Sequence, residues 1–512
     1  MRAKHPRRIT ASTLHSLHQC ERKLWLDVHA PTEKAPPTSF EEELRARGMA
    51  HERAVRAGLP GLVGPIFTWD DTTMDEAATE TKRLLRETRA PLYQPAFVSA
   101  DGTLAGVPDF LGHDEDSGIV LRDAKLFTRL EGHPEANLQM AHYCALVEGS
   151  TGLTVSRCEV VSGRFELLEV RPAPRAVWQA SVARARELLD GGDEPGILQA
   201  HSTCEGCGFY DHCWEIATRE KRVEIIPAVN RVTLPRLAEL GITTLGQLVQ
   251  KTPAQLRGRN VGAKVAENML LEARAMMEDH PQWRGGHGLP VDHTPVWFDL
   301  EGDPDSDVEV PIYMWGVGVS RPDHEFDYRV VIADAGDDGD RGGWERFLAL
   351  ARDVFAAHPD AVWVHYADYE RTWTRKYVER YGDADGTAAR VLGAMFDLRA
   401  ALQRAVVLPL RSYSIKSVAP SLGFAWRNPE ANSQWSTVQY KRARASSDAA
   451  ERERLFGEIA QYNDDDLRAM KHLWDWMERE APAGMAVVPA PKPTAKRRWG
   501  GRGAGSRGGR KG

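Results

Sequence analysis

The chain lacks several things at once. It has no run of about 18 or more apolar residues, so no membrane span is expected. Its start, Met1 to Arg8, is basic, but the next segment, Ile9 to Cys20, is too polar for a secretory core. A cytoplasmic protein is therefore expected. Six cysteines among 512 residues are too few and too clustered for a disulfide framework. There is no solenoid-type repeat. No G-x-x-x-x-G-K-[ST] phosphate loop occurs, so no ATP motor is expected in it. The last stretch, Ala490 to Gly512, has no acid and eight Lys or Arg, which leaves −15 on the rest of a chain whose total is −7. Such a Gly-rich basic end reads as a disordered arm, free to touch phosphate or simply to solubilise.

What is present divides into four parts. Residues 1–220 mix helices with a run of strands, Leu104 to Leu111 and Ile119 to Leu126, joined by a polar turn, His113 to Gly118. A helix follows from Pro134 to Glu148. Residues 221–285 read as helical, closing in a Gly-, Pro- and His-rich linker from His280 to His293. Residues 286–484 are mixed again, with strands at Pro295–Leu300, Tyr313–Ser320 and Ala361–His365 and a helix at Glu451–Glu478. Residues 485–512 form the tail, where Trp499 is the lone aromatic able to stack on a base.

Carboxylates recur in patterns suited to divalent ions. Asp109 ends one strand in G-V-P-D-F. Asp123 and Lys125 share a face of the next in V-L-R-D-A-K, because side chains alternate along a strand. Two carboxylates from adjacent strands suit Mg²⁺ or Mn²⁺, and Lys125 is placed to steady charge on a phosphate. His51 in G-M-A-H-E could add a nitrogen ligand. Gln139 and Tyr143, four apart on a helix, could fix a DNA strand and the lysine. A lone D-x-K is common on surface strands; the surrounding order of residues gives it weight.

A second set lies downstream. Asp299 and Glu301 share a strand face in V-W-F-D-L-E-G; Glu370 follows a strand in H-Y-A-D-Y-E-R, with Asp368 as fallback; Tyr462 and Asp466 stand four apart in Y-N-D-D-D-L. Four carboxylates of this kind can hold two divalent ions, with Tyr462 positioning water.

The cysteines form a third pattern. Cys204, Cys207 and Cys213 are close in sequence and Cys20 is far upstream. Four thiolates suit either an iron–sulfur cluster or zinc. The nearby His201 and His212 read as surface residues, and Cys144 and Cys158 as ordinary buried thiols.

Taken in order, Cys20, His51, Asp109, Asp123, Lys125, Gln139, Tyr143 and the late cysteine trio resemble the RecB-like nucleases of the PD-(D/E)xK superfamily that carry a four-cysteine iron–sulfur cluster. The resemblance implies a restriction-endonuclease-like α/β core stapled by a [4Fe–4S] cluster, with Asp123 where many members have Glu. The downstream motifs, with Asp397 and the segment Tyr413 to Phe424, resemble DEDD exonucleases of the RNase H-like superfamily, YprB-type branch. There the second motif usually ends in Asp, and here Glu370 stands. Between them, L-A-E-L-G-I and R-N-V-G-A-K resemble helix-hairpin-helix elements, with Arg259, Gly262 and Lys264 touching phosphate without reading sequence. The whole implies a multidomain α/β metal-dependent DNA nuclease acting on single-stranded ends or flaps in repair, with a separate helicase as a candidate partner. The alternatives are a nucleic-acid-binding scaffold with inert sites and an exonuclease directed at RNA.

Overall fold

The computed structural model describes residues 8–68, 72–116, 118–197, 204, 206–303, 310–321, 324–333 and 339–488. Two five-stranded sheets dominate it. His201, Trp499 and residues 489–512 of the basic tail lie outside the described residues.

The first sheet runs Leu92–Tyr93, Phe110–His113, Ile119–Ala124, Val155–Val161, Leu167–Glu169 from edge to edge. Ile119–Ala124 and Val155–Val161 are parallel and the other pairs antiparallel. The helix Pro134–Thr151 makes the crossover that a parallel pair requires. It begins with Pro at its first turn and ends on Gly152 in the left-handed region, both good boundary residues.

The strand expected over 104–111 is broken in two. Ala105–Gly106 pairs with Phe97–Val98 in a separate ribbon, and only Phe110–His113 joins the main sheet. Pro108 between them has no N–H to give a ladder. The Asp109 N–H goes instead to the Asp123 carboxylate, 3.1 Å away. The break is thus what turns Asp109 toward its partner.

The middle of the chain is a set of short helices around one apolar core, in which Leu237, Leu248, Leu256 and Met269 pack together with Phe209 and Cys213. Cys204 and Cys207 lie against the same core. The linker expected over 280–293 is partly a strand: Gln282–Trp283 pairs with Val406–Val407, so the helical part is stitched to the region that follows. The far end is stitched too, by a bridge between Gly286 and Val487.

The second sheet runs His324–Ile332, Ile312–Arg321, Pro295–Gly302, Val362–His365, Met395–Asp397. Its first three strands form an antiparallel meander, and the last two are parallel to Pro295–Gly302. The core beneath is aromatic, with Phe298, Trp315, Phe347 and Trp363 fully buried. The helix Ala449–Glu480 packs on this sheet and carries the run Asp464 to Asp466. No helix among the described residues is long and apolar enough to cross a membrane.

Candidate active sites and cysteine cavity

The second acid centre is the tighter one. Asp299 and Glu301, two residues apart on a central strand, point the same way. With Asp466 they bring three carboxylate oxygens within 4.8 Å of one another. Among the described residues no other group of three metal-ligating side chains does so. Burial and mutual repulsion push the Asp299 and Glu301 carboxyls well above the usual range. Asp466 is also raised by burial, against the pull of Lys416 and a hydrogen bond from Trp426. The Trp426 indole N–H donates to Asp466 Oδ1 at 2.6 Å, and Lys416 Nζ lies 3.1 Å from the same oxygen.

Glu370 is buried in the same cavity as the trio but is not gathered with them to metal-ligand distance. Its carboxyl is raised to about 8, by burial and then by Asp397, Asp368 and Asp466. Its nearest cation-capable neighbour is His365, with Nδ1 3.5 Å away. Asp368, the fallback, is largely exposed and pairs loosely with Arg371 at 3.9 Å, outside the cavity. Helical geometry explains this, since Asp368 stands at the N-cap position of the helix Tyr369–Tyr381 while Glu370 lies on its inner first turn. Asp397 is occupied as a helix cap, its side chain accepting the Ala400 N–H.

The three consecutive acids have separate fates. Asp464 and Asp465 are held by Arg427, and Asp464 also by Arg468. Only Asp466 faces the trio's cavity. Tyr462 lines that cavity and, like Trp426, lies under the Lys416 ammonium, 4.2 Å from ring centre to Nζ. Asn463, on the same turn, donates to Asp299 Oδ2 at 2.7 Å and accepts from the Tyr328 hydroxyl. Room for it comes from Gly316, paired with Asp299 across the sheet; a Cβ there would sit 1.6 Å from Asn463 Oδ1. Lys416 and Asn463 both fall inside the motif stretches of the downstream resemblance, but their residue types gave no hint of a metal site.

The first acid centre is built differently. Asp123 is fully buried on Ile119–Ala124 and accepts from the Asp109 N–H, from Gln139 Nε2 at 2.6 Å, and from Lys125 Nζ at 3.1 Å. Asp109 Oδ2 accepts the Ala124 N–H at 2.8 Å. Burial, Asp123 and Glu52 nonetheless push the Asp109 carboxyl well above its usual range, while Lys125 opposes the shift. Lys125 itself is raised despite burial, by Asp123 and Asp109.

Gln139 and Tyr143 sit on the inner face of a helix packed against the sheet. Gln139 Nε2 donates to Asp123 and to the Tyr143 hydroxyl, and that buried hydroxyl donates to the Val107 carbonyl. His51 is buried beside the centre with Nε2 3.1 Å from the Val161 carbonyl oxygen, and it is not gathered with Asp109 and Asp123 at ligand distance. A proton on Nε2 satisfies that carbonyl and leaves Nδ1 as the lone-pair nitrogen, the usual state of a ligating imidazole.

Glu52, the next residue, accepts from Tyr93 and Gln94 and is close enough to raise both Asp109 and Lys125. Sequence reasoning passed over it, although it adjoins His51. Phe165 was missed too. It is a 58% exposed ring in a tight turn with φ of 61°, its centre 4.8 Å from that of His51.

Cys20, Cys204, Cys207 and Cys213 line one cavity, together with Arg22 and Lys23. The strand–helix order brings residue 20 next to residue 213 across the whole first domain. Burial raises the Cys207 thiol, and raises that of Cys213 to about 11 against the pull of Arg22. His212 is turned away, with Nδ1 3.3 Å from Glu33. Cys144 and Cys158 lie elsewhere, their Sγ atoms 3.4 Å apart. Arg259, Gly262 and Lys264 are exposed together where the helix Ala263–Glu278 begins, with Gly262 as its N-cap.

Comparison with known proteins bears on the second acid centre. Residues 296–478 match the family model RNase_H_2, of the RNase H superfamily. That span contains Asp299, Glu301, Glu370, Tyr462 and Asp466. No curated protein matches the chain. Among solved structures that match, one titled "Crystal structure of SSO0001" is 13% identical, covering 40% of this chain and 85% of its own, with a TM-score of 0.21, too low to establish a shared fold. The part of the chain from 296 to 478 is therefore an RNase H-like domain, a match that suggests a nuclease-type activity.

Proposed function

We propose that the chain is a metal-dependent nuclease with two acid centres, hydrolysing phosphodiester bonds of DNA at single-stranded ends or flaps during repair. One observation carries most of this reading: the buried trio of Asp299, Glu301 and Asp466 within the RNase H-like span. Three carboxyls whose ionisation is opposed by burial and mutual repulsion suit a hard divalent cation, which would favour their charged form. Mg²⁺ or Mn²⁺ bound there would lower the pKa of a bound water and neutralise charge gathering on the phosphate.

The chain's own residues supply the rest. At the second centre Asn463 and Trp426 fix the orientation of two ligands, Glu370 completes the carboxylate set, and Lys416 offers a cation to the developing charge. Tyr462, packed under that lysine, orients the attacking water. At the first centre Asp109, Asp123 and His51 are the ligands, and Lys125 is the cation next to the phosphate. Gln139 and two main-chain N–H groups hold the acids in place.

The cysteine cavity fits a [4Fe–4S] cluster. All four thiols line it; zinc, which takes the same ligands, is the alternative to the cluster. The cluster's role is structural, tying residue 20 to residue 213 and bracing the helices that share its core. Arg259, Lys264 and the N–H groups after Gly262 grip phosphate without regard to sequence. The choice of DNA, of free ends and of a helicase as partner comes from the likeness of the motifs to RecB-type nucleases.

The test uses matched, labelled DNA and RNA strands with Mg²⁺ or Mn²⁺. The wild type should degrade DNA, Asp123→Ala and Asp299→Asn should each remove part of the products, and the double variant should give none. Degradation by the double variant would end both assignments. Binding without any product would make the chain a scaffold, and faster loss of the RNA strand would change the substrate.

A further inference from the structure

The helix Ser39–Ala57 links the two acid centres. It starts at a reciprocal cap in which the Thr38 hydroxyl accepts from Glu41 N and Glu41 accepts from Thr38 N. From there it presents Phe40, Leu44, Arg47 and His51 at spacings of four, three and four, a single stripe of an α-helix. Phe40 lines the cavity of Asp299, Glu301 and Asp466. Phe40, Leu44 and Arg47 also line an adjoining cavity, which reaches Leu126, the residue after Lys125. His51 and Glu52 stand at the far end, beside Asp109 and Asp123.

The opposite wall has the character of a stacking platform. Phe127 and His133 lie face to face, 4.2 Å between ring centres, and exposed Arg129 is next to them. Leu44 is 44% exposed in the middle of the groove, an apolar side chain with no apolar cover. Two acids also line it, Asp303, met by Lys441 at 3.0 Å, and exposed Glu131 beside Arg129. Aromatic faces with interspersed arginines suit the bases and phosphates of a single strand. From Phe40 to His51 the helix rises about 17 Å at 1.5 Å per residue, the length of roughly five stacked nucleotides at 3.4 Å each.

We infer that one single-stranded nucleic acid chain lies along this groove and occupies both acid centres at the same time. The inference rests on the nuclease reading above, and adds to it that the two centres work on a shared strand rather than on separate substrates.

Fluorescent oligothymidylates of 3 to 20 nucleotides, titrated with the full-length protein in Ca²⁺ in place of Mg²⁺, test this. The wild-type affinity should rise at least about tenfold as the length passes the roughly five nucleotides of the groove, and then level off. Leu44→Glu should remove that rise, and Arg129→Glu should reduce it and flatten its salt dependence; thermal melting checks that both fold. A flat length profile in the wild type, or a full rise retained in folded Leu44→Glu, would overturn the shared strand. Cleavage in Mn²⁺ is scored separately. Cleavage without the length rise rejects the groove and keeps the nuclease, whereas the length rise without cleavage rejects the nuclease and keeps the groove.

Discussion

At the first acid centre most of the charge is met from within the chain. Asp123 takes a main-chain N–H, an amide and an ammonium, and Asp109 takes another main-chain N–H. At the second, Asp299, Glu301, Glu370 and Asp466 line one cavity; Asn463 donates to Asp299, and Trp426 and Lys416 meet Asp466, yet all four carboxyls are raised. The first is a site folded almost to completion without a cation. The second is folded around a deficit that a cation removes. The difference shows that a carboxylate pair can be organised by backbone donors or by an ion, and that the two designs should respond differently to metal removal.

The largest effect should come from the ligands themselves. Asp299→Asn is expected to lower hydrolysis at the second centre by about three orders of magnitude, the several kcal/mol that metal catalysis supplies, with products of the first centre unchanged in a gel assay. A comparable loss of both product sets would merge the two centres into one. Next in size is the removal of a positioning group. Asn463→Ala should weaken Mn²⁺ binding at the second centre about 10- to 100-fold, the usual cost of losing such a partner, measured by calorimetry in Asp123→Ala protein; Gln139→Ala should do the same at the first centre.

Stability against pH probes both centres. A carboxyl raised on folding favours the folded chain most below its unfolded pKa, and that contribution is lost as pH rises through the folded value. For Glu370 the window runs up to about 8. With EDTA present, the melting temperature should therefore fall between about pH 5 and pH 8, recover on adding Mn²⁺, and fall less in Glu370→Gln. Asp109→Asn should flatten the curve too, because burial, Asp123 and Glu52 raise that carboxyl against the pull of Lys125 and the Ala124 N–H. The smallest effect is expected from Glu52→Gln, a half-buried charge worth about 0.5–1 kcal/mol. It should weaken Mn²⁺ binding at the first centre by roughly two- to fivefold and leave the second untouched.

Much of this was legible in the sequence, for physical reasons. Asp123 with Lys125 and Asp299 with Glu301 obey the two-residue alternation of a strand, and Tyr462 with Asp466 the four-residue turn of a helix. Spacing alone therefore put them on shared faces, and it selected Asp466 from three adjacent acids. The long helix, expected over 451–478 and found over 449–480, and three of the five strands of the second sheet were legible in the same way, whereas His324–Ile332 and Met395–Asp397 were not. What escaped depended on contacts between distant segments. Pairing of 282–283 with 406–407 has too few residues to leave a pattern. Asn463, Lys416 and Glu52 are ordinary polar residues until the fold sets them against a carboxylate. The four-residue spacing put Gln139 and Tyr143 on one helical face, but a helical repeat does not say that this face meets the sheet and Asp123.

The space that Gly316 leaves for Asn463 bears on more than one contact. It acts as a key cut into the sheet, admitting the amide only when Gly316 lies opposite Asp299. A slip of one position along the meander would bring Trp315 or Val317 to that place, and every side chain of the strand would change face. The gap thus links the alignment of the strands to the arming of the site: a chain that has mispaired its hairpin cannot orient Asp299, and misassembled copies would be inert rather than indiscriminately destructive.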